Sequence, residues 1–133
     1  MIEKILLMFS DSKFAQQLAD QLKKFGCEVI HSAFTEPGIP FGELAARYNI
    51  IIVDKQFCGN SLRTATLIRR LRKEFYGPII GIETMFGDGS ISLLQVSGCN
   101  WILQCAEFDT PQINSAVCRA VQDVSSLLEE IQP

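Results

Sequence analysis

Residues 49–55 read Asn-Ile-Ile-Ile-Val-Asp-Lys, four β-branched apolar residues in a row closed by a carboxylate. No polar residue alternates with them, so the run predicts a strand buried on both faces, which requires a parallel sheet covered by helices on each side. In such a sheet the ligand crevice lies outside the carboxyl ends of the strands. Asp54 therefore leaves the predicted central strand where chemistry would be placed. An aspartate at that point also begins loops and caps helices, and the residue by itself leaves both readings open.

The same alternation of strand and helix signals runs along the whole chain. Ile5 to Phe9 is a second continuous apolar run, followed by Ser10-Asp11-Ser12 as a helix N-cap region. Phe14, Leu18, Leu22 and Phe25 keep helical spacing and predict one stripe facing the sheet, with Gly26 stopping the helix. Cys27 to Ala33 predicts a strand, Phe34 to Phe41 a loop, and Gly42 to Tyr48 about two helical turns. A helix from about Ser61 to Phe75 carries Leu62, Ala65, Ile68, Leu71 and Phe75 at helical spacing, and Gly77-Pro78 breaks it. Ile79 to Ile82 is the fourth strand, with Glu83-Thr84 leaving it. Ser90 to Val96 is a helix, and Trp101 to Gln104 is the fifth strand. Asp109-Thr110-Pro111 opens a last helix to Ile131. These elements predict an α/β fold, one domain over residues 1–133, with a doubly wound parallel sheet and right-handed crossovers. Its two fully apolar runs belong in the centre, giving the strand order 2-1-3-4-5.

Composition excludes several function classes. A formal net charge of −3 supplies no chain-wide basic footprint, so general nucleic-acid binding is disfavoured. Five scattered cysteines, no C-x-x-C pair and the single histidine His31 argue against both a disulfide framework and a zinc site. No apolar run is long enough for a signal sequence or a membrane span, and a cytoplasmic location is expected. Gly87 to Gly89 lacks the spacing of a phosphate-binding loop. The cluster Arg63, Arg69, Arg70, Arg72 and Lys73 reads as a solvated helix end favoured by the macrodipole. Cys105, at the end of the fifth strand, is either a redox thiol or a small buried hydrophobe.

Five-fold βα order, Ile50-Ile51-Ile52-Val53 ending in Asp54, Pro78-Ile79-Ile80, and Gly98-Cys99 before the fifth strand together resemble the receiver domains of bacterial two-component response regulators. The resemblance covers nearly the whole chain. It implies a flavodoxin-like three-layer sandwich and makes Asp54 the position that accepts a phosphoryl group from a histidine kinase. The family's other site positions differ here. The acidic pair that binds Mg²⁺ falls on Phe9 and Ser10, with Asp11 adjacent; the Thr or Ser switch position falls on Glu83, with Thr84 next; the lysine position falls on Cys105 and the following proline on Ala106.

Phosphoryl transfer depends on cations that neutralise the developing charge, chiefly the metal and the lysine. The resemblance therefore implies a degenerate receiver, not an enzyme, with no cofactor and with Mg²⁺ binding weak or absent. Glu83 is expected to set a negative charge beside Asp54. Expected partners are a protein or a second copy, with no nucleic acid and no membrane, through the face made by the fourth predicted helix, the fifth strand and the last helix. On that last helix Ile113, Val117, Ala120, Val124, Leu127 and Ile131 keep steps of four and three, as a heptad seam does; with Ala116, Val121 and Leu128 the apolar arc is wider than one sheet-facing stripe needs. Of Val117, Val124 and Leu128, whichever is exposed is the expected contact residue, although burial of the same stripe against the sheet explains the spacing equally well. One alternative is an active receiver with an unusual metal site built from Asp11, Asp54 and Glu83. A more distant one is a flavodoxin-like small-molecule binder.

Overall fold

The computed structural model describes residues 3–32, 47–84, 93–105 and 110–131. Five parallel strands, β1 (Lys4–Met8), β2 (Glu28–Ser32), β3 (Ile50–Asp54), β4 (Ile79–Thr84) and β5 (Trp101–Cys105), form one sheet in the order β2-β1-β3-β4-β5. This is the expected topology, and β3 is central because all five of its residues are buried. Register sets Met8 opposite Val53 and Asp54 opposite Ile82, so the ends of β1, β3 and β4 lie together at the carboxyl edge.

Strand alternation sorts the apolar runs into two layers. Ile5, Leu7, Ile50, Ile52, Ile80 and Ile82 pack under helices α1 (Ser12–Lys24) and α4 (Thr110–Ile131). Leu6, Met8, Ile51, Val53 and Ile79 pack under α2 (Ser61–Arg72) and the short α3 (Leu93–Ser97). Full burial of each such side chain contributes about 1.5–3 kcal/mol, which is why two uninterrupted apolar strands specify the sheet so firmly.

Several local expectations are corrected. Phe25 does not continue the α1 stripe: it is the C-cap, 57% exposed, and Gly26 at φ +87° turns the chain away. Leu62 is likewise outside the core, at 68% exposure, because Thr64, Ala65, Leu67, Ile68 and Leu71 form the buried face of α2. That helix ends at Arg72, and Phe75 is buried beyond it. Glu83 and Thr84 extend β4 by pairing with Gln104 and Cys105. Val117 and Val124, expected at a partner contact, are 0% and 1% exposed beneath α4. Their four-three stripe is the one that faces the sheet. The side chains of Ile113, Leu128 and Ile131, the helix expected at Gly42 to Tyr48 apart from its last two residues, and Gly87 to Gly89 lie outside the described residues.

Arg72 also departs from the expected solvated helix end. Its Nε donates to the Gly98 carbonyl at 2.7 Å, its Nη1 to the carbonyls of Phe75 at 3.1 Å and Gly77 at 2.6 Å, and its Nη2 to Asn100 Oδ1. Gly98 has φ +136°, and a Cβ there would stand 2.5 Å from Arg72 Cγ, so only glycine admits this approach.

Candidate functional site

Asp54 ends β3 with 4% exposure, and the chain on either side fixes its carboxylate. The Ser10 hydroxyl, one residue beyond the buried Phe9, donates to Oδ2 at 3.0 Å. On the other side the chain turns at once, with Gln56 N–H donating to Oδ1 at 3.3 Å and Phe57 N–H to the Asp54 carbonyl at 3.0 Å. Burial pushes the Asp54 carboxyl above its ordinary range. The Gln56 amide and the Ser10 hydroxyl and amide oppose that rise, while the negative charge of Asp11 adds to it.

Ser10 and Asp54 thus come together, whereas the other predicted positions do other work. Phe9 turns its ring into the α1–α4 layer, 1% exposed and stacked on Phe14 at 5.4 Å between centroids. Its carbonyl accepts from His31 Nε2 on β2 at 3.0 Å, which gives the lone histidine a structural role that spacing alone could not reveal. Asp11 is the N-cap of α1, and its Oδ1 accepts the Phe14 N–H at 3.0 Å. Glu83 is buried, but β4 alternates at Ile82 into the α1–α4 layer and at Glu83 into the opposite one, where its charge acts on the Cys99 thiol. The carboxylate that bears on Asp54 is Asp11, so the expected Glu83 charge beside Asp54 is replaced by a different neighbour. Cys105 and Thr84 pair in register at the same edge, and their side chains lie outside the described residues.

Mg²⁺ demands oxygen donors in near-octahedral geometry, and the described residues at this edge fit it poorly. Phe9 offers no oxygen from its side chain, Asp11 spends one on its helix, and Ser10 supplies a neutral hydroxyl where a carboxylate would be needed. Asp11, Asp54 and Glu83 do not converge: among the described residues no three Asp, Glu, His or Cys side chains are grouped to hold a metal ion. Cysteine chemistry has little support where the thiols are described. Cys27, Cys58, Cys99 and Cys118 are free, and burial with the nearby Glu83 charge pushes Cys99 up to about 12 despite Arg72. Outside the edge, α1 and α4 enclose an open groove of about 990 Å³ lined by Gln17, Lys24, Asn114 and Arg119 among others, with Asn114 Oδ1 buried and unpartnered.

No protein-family model matches this sequence, and no curated protein does. Solved structures do match in fold. A two-component response regulator from Clostridium difficile is similar at a TM-score of 0.68 and 20% identity, covering 90% of this chain and 96% of that one. A response regulator from Thermotoga maritima gives 0.71 and 17% over 95% and 99%. A chemotaxis response regulator of Vibrio cholerae gives 0.66 and 19% over 93% and 99%. The fold is that of response-regulator receiver domains. Among the described residues no helix is long and apolar enough to cross a membrane.

Proposed function

We propose that this chain is a signal-transduction receiver-like domain that acts as a protein–protein interaction module without Mg-dependent phosphorylation of Asp54. The observation that carries the reading is the company Asp54 keeps: two neutral donors, Ser10 and Gln56, and the charge of Asp11, in a setting that already disfavours a single negative charge. A phosphoryl group would add more negative charge there, and its transfer depends on cations, none of which is among the described hydrogen-bond partners of Asp54. The contact face is the one made by α3, β5 and α4. Among the described residues its exposed apolar side chains are Leu93, Val96 and Leu127, which take the place of the buried Val117 and Val124.

Amide NMR in the presence of Mg²⁺, with and without beryllofluoride, tests the reading. Ser10, Asp11 and Asp54 should show no saturable shift at millimolar Mg²⁺. A dissociation constant of about 0.1 mM or tighter, roughly −5.5 kcal/mol, overturns it.

A further inference from the structure

With Arg72 turned inward, the other cations of α2 fall on one side of the helix. Arg63, Thr66, Arg69, Arg70 and Lys73 are all exposed, and at 100° per residue they span about 120° of the helix circumference. The stripe is about 15 Å long at 1.5 Å per residue and is flanked by two exposed apolar side chains, Leu62 and Tyr76, the latter at 87%. Exposed Glu74 follows Lys73 and offsets part of this charge, but four cations against one carboxylate leave a local excess of positive charge facing solvent in a chain of net charge −3.

The complementary surface is on the same chain. The last turns of α4 expose Asp123, Leu127 and Glu130, which follow one another at steps of four and three and share one side of the helix. That acidic stripe is about 10 Å long and carries an exposed leucine within it, as the basic stripe has Leu62 beside it. We infer that the basic outer face of α2 docks on the acidic C-terminal face of α4 in a second copy of this chain. The two stripes lie on opposite layers of the sandwich, so one molecule's α2 and α4 cannot both meet the same two-fold partner. The contact is head-to-tail, and it builds chains or rings rather than a closed dimer.

This inference rests on the interaction reading above and names the occupant of the α4 part of that face. Exposed ion pairs are individually weak and screened by salt, so the association should be weak, reversible and strongly dependent on ionic strength.

Sedimentation velocity on the purified chain tests it. Wild type should associate beyond a dimer at low salt, with an association constant falling at least about tenfold by 0.5 M salt. Arg69→Glu with Lys73→Glu should be monomeric, and so should Asp123→Lys with Glu130→Lys. An equimolar mixture of the two variants should associate again, because each then offers the other a matched pair of faces. These positions are exposed, and circular dichroism confirms that each variant is folded before mixing. A monomeric wild type at low salt, association that persists in either variant, or a mixture that stays monomeric overturns the inference. So does a basic stripe that binds duplex DNA or anionic vesicles while the chain stays monomeric. Asp54→Asn should associate as wild type does. If it does not, the phosphorylation-independent function fails while the α2–α4 contact stands.

Discussion

The two edges of the sheet handle buried polarity in opposite ways. At the amino edge, Arg72 gives its guanidinium to three backbone carbonyls and Asn100, while Asn100 Oδ1 also takes the Ile79 N–H at 2.9 Å. Beside it, Asn49 joins β1 to β3 by accepting the Lys4 N–H at 2.6 Å and donating to Glu3 Oε2 at 2.5 Å. At the carboxyl edge, Asp54 has a hydroxyl at 3.0 Å, an amide at 3.3 Å and the charge of Asp11 nearby. Saturated networks rigidify a fold, whereas a buried charge held by a few neutral donors remains costly. The amino edge is built to hold the strands in register. The carboxyl edge retains a carboxylate that contributes little to holding them.

Replacing Arg72 with Met should have the largest effect. The apolar stem is kept, but the carbonyls of Phe75, Gly77 and Gly98 lose a charged donor, at a cost of about 2–4 kcal/mol. Urea unfolding should show a lower midpoint with an unchanged slope. A loss under about 0.5 kcal/mol would mean that water satisfies these carbonyls equally well.

Asp11→Ala comes next. It removes the cap of α1 and should cost about 1 kcal/mol. The same substitution removes a negative charge near Asp54, so the Asp54 carboxyl should titrate at lower pH in the variant. Carboxyl carbon NMR reads that shift directly. No change would show that Asp11 acts only on its helix.

Ser10→Ala should cost a similar or smaller amount, about 0.5–1 kcal/mol, and move the Asp54 carboxyl the other way. Its hydroxyl is the one side-chain donor given to Oδ2 among the described contacts, so its loss leaves the charged form less well supported. A fall in the Asp54 titration point would overturn that account. Opposite shifts from two adjacent residues would separate the charge of one from the hydrogen bond of the other.

Much of the fold was legible because continuous apolar runs have one inexpensive solution. Ile50 to Val53 and Ile5 to Met8 can be buried on both faces only in a covered parallel sheet, and the structure places them there. The α4 stripe was ambiguous for a physical reason: packing on a sheet and packing on a partner helix select the same spacing, and only the burial of Val117 and Val124 separates them. Which arginine turns inward was not readable, since its partners Gly98 and Asn100 are distant in sequence. At the site, the position of Asp54 and the failure of Phe9 as a ligand followed from residue types. The layer of Glu83 did not, because it depends on how far β4 extends and on which face each residue takes.

The smallest expected effect is the one that reverses sign. Desolvation raises the Asp54 carboxyl in the folded chain above its unfolded value near 3.9, opposed by Gln56 and Ser10. Below that value both states are protonated and the side chain makes no pH-dependent difference. As pH rises, the unfolded chain ionises first while the folded chain still holds the proton, so the folded state binds more protons and its stability falls until the folded carboxyl has also titrated. At neutral pH, ionised Asp54 is therefore a net cost to folding. Asp54→Asn keeps an oxygen to accept from Ser10 and Gln56 and removes the buried charge. The variant should melt slightly above wild type at pH 7, and the difference should shrink as pH falls toward about 4. A variant less stable than wild type at pH 7, with the gap closing in acid, would mean that Asp54 in solution has a cationic partner and that the carboxyl edge is neutralised after all.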